Sequence, residues 1–137
     1  MRTLDQKTIE MLSERLENAE LQRHEVLKIT DEFPDMTFTD ATDIQWETRR
    51  RKEARGNKII GMKMGLTSWA KMRQMEVEKP CYGFLADYFS VPEGGQIPIS
   101  ELIHPKVEAE FAFVTNKPLS GDSVTVEEVL DATELVV

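Results

Sequence analysis

The spacing of apolar residues changes at Gly56, and this change constrains the fold more than any other feature of the sequence. Before it, apolar residues recur every three or four positions between charged ones, which is the pattern of an amphipathic helix. These residues are Ile9, Leu12, Leu16, Ala19 and Val26. We predict one helix, continuous or broken, from Asp5 to about Ile29, and a second from Asp40 to Ala54 with Thr39 as its cap.

After Gly56 the chain consists of short apolar runs separated by Gly and Pro, which is typical of strands and turns. The runs cover residues 58–64, 83–91 and 107–114, and a short helix opens at Ser68. Thr125 and Glu128 have the spacing of a capping box, so we predict a further helix there. The sequence therefore predicts an α+β protein, with a helical region at 1–57 and the first part of a β-rich domain at 58–137.

Composition excludes several classes of function. A net charge of -8 over 137 residues argues against a nucleic-acid surface, because phosphate binding needs clustered Lys and Arg that outweigh the acids. Cys81 is the only cysteine, so there is no intrachain disulfide framework. With no signal-like N-terminus and no apolar run of membrane-spanning length, we expect a cytoplasmic protein without nucleic-acid or membrane partners.

One pair of acids stands out in the run 107–114. As a strand, this run would place Glu108 and Glu110 on one face together with Ala112 and Val114. If that face is covered, the two carboxylates are partly buried and need a cation, a hydrogen-bond network or a proton. We favour a divalent metal, and hard carboxylate oxygens suit magnesium or manganese. The alternative interpretation is an ordinary solvated face with no metal.

Lys63 and Asp87 are two further candidates. Lys63 alternates with Gly61 in the run 58–64, where it would bind a substrate carboxylate or act as a base, or else be an edge lysine that discourages aggregation. Asp87 follows the apolar run 83–86, where it would act as a proton shuttle or cap a turn. Spacing alone leaves both choices open.

Three segments together resemble a known family. They are residues 61–68, GMKMGLTS, residues 83–87, GFLAD, and residues 104–110, HPKVEAE. In this order and spacing they resemble the hydratase and decarboxylase branch of the fumarylacetoacetate hydrolase superfamily, and the likeness runs through nearly all 137 residues. The resemblance implies a helical N-terminal region followed by a mixed, rolled β-sheet.

The resemblance also implies a chemistry. It implies Mg²⁺ or Mn²⁺ held by Glu108 and Glu110, Lys63 and Asp87 as catalytic residues facing the substrate, and Leu66 lining the substrate site. The implied reaction converts the small 2-oxo dicarboxylic acid 2-oxo-3-hexenedioate to 2-hydroxypenta-2,4-dienoate and CO₂ during meta-cleavage degradation of aromatic compounds. The implied assembly is a homo-oligomer in complex with the hydratase of the same pathway.

Two alternatives accompany this prediction. The first is the sister activity, hydration of 2-hydroxypenta-2,4-dienoate on the same metal scaffold. The second is a non-catalytic fragment that retains only assembly contacts. It arises because family members are about twice as long and a third carboxylate ligand is expected beyond Val137. We therefore expect the chain to be the N-terminal half of the enzyme, with exposed apolar surface.

Overall fold

A computed structural model describes all 137 residues, as five helices and four strands. The helices are α1 Gln6–Gln22, α2 Ile29–Glu32, α3 Phe38–Ala54, α4 Trp69–Gln74 and α5 Val126–Ala132. The strands are β1 Ile59–Gly65, β2 Cys81–Ala86, β3 Phe113–Thr115 and β4 Thr133–Val136. The predicted α+β class is confirmed.

The chain forms two compact units, Met1–His104 and Pro105–Val137. The first contains α1 to α4 and the β1–β2 sheet, and the second contains α5 and the β3–β4 sheet. This division separates two compact parts of the chain. The predicted boundary after residue 57 is of another kind, because it separates a helical region from a region expected to carry the catalytic residues. That boundary stays a prediction.

Helix α1 is shorter than its apolar pattern predicted. It begins after Asp5, whose side chain accepts a hydrogen bond from the Thr8 N–H, and it ends at Arg23 in the left-handed conformation. The N–H groups of Arg23 and His24 close the last turn on the carbonyls of Glu20 and Ala19. The prediction of one helix reaching Ile29 was therefore right only in its broken form, since α2 starts separately at Ile29.

Helix α3 begins two residues earlier than predicted, and Thr37 caps it in place of Thr39. The Thr37 hydroxyl accepts from the Asp40 N–H, and the Asp40 carboxylate accepts from the Thr37 N–H at 2.8 Å. This reciprocal capping box needs an acidic or amide side chain three residues after the cap, and Asp40 meets that requirement for Thr37. The prediction of Thr39 was wrong because it ignored this spacing.

Helices α1 and α3 form the main helix–helix interface of the first unit. Its apolar centre consists of Ile9, Leu12 and Ile44. Partly buried apolar residues pack around this centre: Leu4, Leu16, Ile29, Phe33 and Met36. Removing the side chain of a buried Leu from such a centre costs about 2–5 kcal/mol, so this small cluster is a major source of stability.

Buried polar contacts extend the same interface. Glu17 accepts hydrogen bonds from Arg51 and Arg55, each at 2.7 Å, and the hydroxyls of Ser13 and Thr48 lie 3.0 Å apart. Asp40 is fully buried and accepts from the backbone N–H groups of Thr3 and Leu4 at 2.9 Å. Each buried side-chain nitrogen or oxygen atom therefore has a partner, as a stable interior requires.

Strands β1 and β2 form a two-stranded antiparallel sheet next to α3. A bulge at Ile60 shifts the register, so that Ile59 lies opposite Ala86 while Gly61 lies opposite Leu85. Helix α4 begins after Ser68, as predicted, because the Ser68 side chain accepts from the Lys71 N–H.

The methionines of this region are mostly exposed. Met72 is buried, but Met62, Met64 and Met75 are about half exposed. Methionine often fills gaps in protein cores, so the sequence favours all four as core residues, and this interpretation is wrong for three of them. Together with Ile60, the strand methionines leave an apolar surface on β1.

In the second unit, β3 and β4 pair antiparallel and α5 connects into β4. The predicted capping box of Thr125 and Glu128 is confirmed, with the Glu128 carboxylate accepting from the Thr125 N–H at 2.7 Å. Ala132 is buried, whereas most residues of the unit are exposed. None of the five helices is both long and apolar enough to cross a membrane.

Asp40 provides a test of the helix interface. Burial raises the pKa of its carboxyl group, but hydrogen bonds from Thr37, Leu4 and Thr3 outweigh burial and hold the pKa well below its ordinary value. The resulting stabilisation is present above the unfolded-state pKa of about 3.9 and is lost as pH falls from there through the native pKa. We expect Asp40→Asn to flatten the dependence of the unfolding free energy on pH in this acidic range.

Urea denaturation at a series of pH values measures this dependence. Asp35→Asn is the matched control, because the Asp35 side chain is exposed and only its backbone carbonyl accepts a hydrogen bond. An Asp40→Asn profile that runs parallel to the wild-type profile down to the acid limit would contradict the assignment.

Candidate functional site

Lys63 lies in the middle of β1 and is exposed. Its backbone pairs with Gly83 of β2, so it occupies a regular position of the sheet and not a loop. A side chain added at Gly61 would meet only Leu85 at 3.9 Å, which is an ordinary contact. The predicted strand position of Lys63 is thus confirmed, while its proposed contact with substrate stays a prediction.

Leu66 directly follows β1 and has a left-handed backbone, with a φ of 56°. A bulky residue other than glycine is rarely found in this region, and such strain often accumulates at functional sites. The half-buried Leu66 turns the chain from β1 towards the Ser68 cap of α4. The apolar sequence pattern gave no signal of this conformation.

Asp87 directly follows β2 and opens a single 3₁₀ turn that runs to Phe89. Its carboxylate oxygen Oδ1 accepts hydrogen bonds from the Tyr88 N–H at 3.0 Å and from Asn57 Nδ2 at 3.3 Å. Its own N–H donates to the Lys58 carbonyl at 2.8 Å. Asp87 is therefore the first residue of the turn and not its cap, which is Ala86. These contacts fix the direction of its carboxylate.

The sheet separates these three residues along its length. Lys63 is in β1 and Leu66 follows it, whereas Asp87 follows the Ile59–Ala86 pair at the other end of the ladder. Asp87 is four residues beyond Gly83, the partner of Lys63, which corresponds to about 13 Å along a strand.

Glu108 and Glu110 belong to the second unit, and the structure corrects the prediction made for them. Residues 107–110 have no regular secondary structure, and strand β3 begins only at Phe113. Both glutamates are exposed, so the expectation of a partly buried pair on one strand face was wrong.

The pairing of β3 explains the missing strand. Ala112 and Val137 exchange two backbone hydrogen bonds, of 2.8 and 2.9 Å, beyond the last pair of the β3–β4 ladder. Continuing this antiparallel ladder towards residue 107 would require backbone groups at positions past Val137. Within this chain, strand geometry therefore stops at Ala112, whatever the alternation of the sequence favours.

The metal-ligand prediction itself is not decided by this arrangement. Glu108 and Glu110 are two residues apart on an exposed stretch, and both make electrostatic or hydrogen-bonding contacts. The structure brings no three or more His, Cys, Asp or Glu side chains together in a group able to hold a metal. The two glutamates stay candidate ligands.

Sequence reasoning missed a partly exposed cluster beside Asp87, formed around the buried Lys52 by Glu20, Tyr88 and Phe89. Lys52 is only 1% exposed, and its ammonium donates to both carboxylate oxygens of Glu20 and to the Tyr88 hydroxyl. A signal existed in the sequence. Lys52 lies eight residues after the core residue Ile44, which places it on the buried face of α3.

Comparisons with known proteins show what this chain is similar to. No protein-family model matches the chain. The chain is 60% identical, over 99% of its length, to 4-oxalocrotonate decarboxylase of Pseudomonas sp. (strain CF600), and it covers 52% of that protein. It is 38% identical, over 97% of its length, to 2-oxo-hept-4-ene-1,7-dioate hydratase of Escherichia coli, of which it covers 50%.

A solved structure agrees with the sequence comparison. 4-Oxalocrotonate decarboxylase from Pseudomonas putida G7, complexed with magnesium and adipate, matches with a TM-score of 0.94 and 60% identity. The match covers 99% of this chain and 52% of the solved chain.

These findings confirm the resemblance to hydratases and decarboxylases that act on small oxo acids. Within that class, the chain is more similar to 4-oxalocrotonate decarboxylase than to the hydratase. It spans about half the length of the curated relatives it matches.

The metal-ligand prediction leads to a direct test. We expect Glu110→Gln to weaken Mg²⁺ binding by about tenfold or more, equivalent to about 1.4 kcal/mol, because the amide loses the charge that attracts the ion. Isothermal titration with Mg²⁺ measures the affinity. Glu127→Gln is the matched control, since Glu127 is an exposed acid of the same unit in the first turn of α5. Equal affinities for both variants and the wild type would remove Glu110 from the site.

Proposed function

We propose that the protein to which this sequence belongs is a metal-dependent carboxy-lyase. It would convert 4-oxalocrotonate (2-oxo-3-hexenedioate) to 2-hydroxypenta-2,4-dienoate and CO₂ in the meta-cleavage degradation of aromatic compounds. The observation that carries the proposal is 60% identity along 99% of the chain to 4-oxalocrotonate decarboxylase. The 38% identity to a hydratase makes hydration the weaker candidate.

The donor chemistry of the chain fits a hard divalent cation. Glu108 and Glu110 would supply two of the carboxylates that hold Mg²⁺ or Mn²⁺, and the related structures contain magnesium and calcium. When bound, the metal supplies Lewis-acid stabilisation of the charge that develops on the 2-oxo group as CO₂ leaves. Because two carboxylates make an incomplete ligand set, the unmatched half of the relatives' length would supply the remainder.

Side chains of the first unit would act on the organic substrate. Lys63 is an exposed cation at the middle of β1 and would hold an anionic oxygen of the diacid. Asp87, held by Asn57 and Tyr88, would move the proton at the carbon chain after CO₂ is lost. Leu66, fixed at the strained corner after β1, would contact the apolar middle of the substrate.

The remaining assignments follow from the same proposal. We place residues 1–57 in a supporting helical region and residues 58–137 in the catalytic region. We propose a cytoplasmic location, a homo-oligomer and an association with the hydratase that consumes the dienoate product. The proposed association is supported by the similarity to hydratases and by the exposed apolar surface of β1.

The reaction is tested by following CO₂ release from 2-oxo-3-hexenedioate in the presence of Mg²⁺. The mass of the purified protein should be measured first, so that the length of the polypeptide is known. We expect magnesium-dependent CO₂ release. Hydration of 2-hydroxypenta-2,4-dienoate without CO₂ release would establish the hydratase activity in its place, and neither activity would indicate a non-catalytic assembly fragment.

Lys63 is tested in the same assay. We expect Lys63→Ala to lower kcat by about 100-fold or more, because the charge that holds the substrate's anionic oxygen is lost in the transition state. Mg²⁺ affinity should stay near the wild-type value, since the proposal assigns no metal contact to Lys63. Lys79→Ala, the removal of another exposed lysine of the same unit, should leave turnover unchanged. Loss of metal binding in Lys63→Ala would contradict the assignment.

A further inference from the structure

A cluster around the buried Lys52, next to Asp87, joins α1, α3 and the turn that follows β2. The Lys52 ammonium donates to Glu20 of α1 at 2.8 and 3.0 Å, and to the Tyr88 hydroxyl at 2.6 Å. It also lies 5.8 Å from the ring centroid of Phe89. A buried ammonium with three hydrogen bonds beside an aromatic ring is tightly restrained.

Tyr88 connects this cluster to the carboxylate of Asp87. Its side chain accepts from Lys52 and donates to Glu20, while its backbone N–H donates to Asp87 Oδ1 at 3.0 Å. Burial and the hydrogen bond to Glu20 raise the pKa of the Tyr88 hydroxyl, so it keeps its proton at neutral pH. Tyr88 therefore contacts both the Lys52 ammonium and the carboxylate of Asp87, which is the candidate proton-transfer group.

Apolar packing around the cluster is incomplete. A cavity of about 350 Å³ borders Glu20, Lys52 and Phe89, and another of about 530 Å³ borders Glu20, Tyr88 and Phe89. Space on both sides means that close packing alone does not hold the turn. The polar contacts of Lys52 and Glu20 therefore act together with the backbone bond from Asp87 to Lys58 and the Asn57 contact to set where the turn lies.

We propose that Lys52, Glu20 and Tyr88 are positioning residues that hold the Asp87 carboxylate in place for proton transfer. The proposal rests on the proposed function, because it takes Asp87 as the group that moves the proton. Proton transfer requires the acid or base within hydrogen-bond reach of the reacting atom, and a displacement of about 1 Å lowers the rate strongly. The helical region would thereby act on the chemistry without contacting the substrate.

Tyr88→Phe is the mildest test, since it removes only the hydroxyl that contacts Lys52 and Glu20 and keeps the aromatic ring. Tyr82→Phe is the matched control, because it makes the same change on β2 without removing a hydrogen bond of the cluster. Glu20→Gln provides a second variant that removes the charge facing Lys52 and keeps the side-chain size. Each variant should show cooperative thermal unfolding before it is compared.

Two measurements distinguish positioning from simple stabilisation. We expect the backbone amides at positions 87 and 88 to exchange hydrogen about tenfold faster in Tyr88→Phe than in the wild type, and at the wild-type rate in Tyr82→Phe. In the decarboxylation assay with Mg²⁺, kcat should fall by about tenfold or more while KM stays within about twofold. Glu20→Gln should change both quantities in the same direction.

Three results would overturn the proposal, and they differ in meaning. Unchanged exchange at Asp87 and Tyr88 would show that the cluster does not hold the turn. Faster exchange with wild-type kcat would show a stabilising role without positioning. An absence of turnover in the wild-type protein would remove the proposed function itself, and the catalytic purpose of the cluster with it.

Discussion

The ammonium group of Lys52 is the contact on which the arrangement of the first unit depends. It is almost fully buried, and its bonds reach α1 through Glu20 and the end of β2 through Tyr88. Burying a cation is costly unless every donor has a partner, so the three elements must meet in one geometry to satisfy it. Lys52 thus links the helix pair to the strand that delivers Asp87.

The rest of the helix interface follows the same principle. Glu17 is buried and accepts hydrogen bonds from two partly exposed arginines. Asp40 is buried and accepts from hydroxyl and backbone donors. The apolar centre of Ile9, Leu12 and Ile44 is small, so these polar pairs select the relative register of α1 and α3. A chain with a net charge of -8 places part of its charge inside, where it orders the fold.

Much of this architecture was predictable, because it follows from local patterns. The Ser68 cap and the Thr125 capping box depend on side chains three residues apart, and both appeared where the sequence indicated. The strand position of Lys63 follows from alternation alone. Resemblance to a family of known chemistry supplied the class of enzyme, which spacing could not have supplied, and the comparisons confirmed that resemblance.

The failures have physical causes that local patterns do not contain. The run 107–110 alternates like a strand, but a strand also needs a neighbour, and the β3–β4 ladder ends at Ala112 and Val137. Lys52 reads as a solvated lysine unless its helical face is compared with that of Ile44. The left-handed backbone of Leu66 depends on how β1 meets α4, which is a tertiary constraint.

A paramagnetic ion can most directly test the central claim that this chain carries metal ligands for a decarboxylase. With Mn²⁺ added in small amounts, the account predicts that the amide NMR signals of Glu108 and Glu110 broaden first. Broadening that begins at other exposed acids, or spreads over all acids alike, would contradict it.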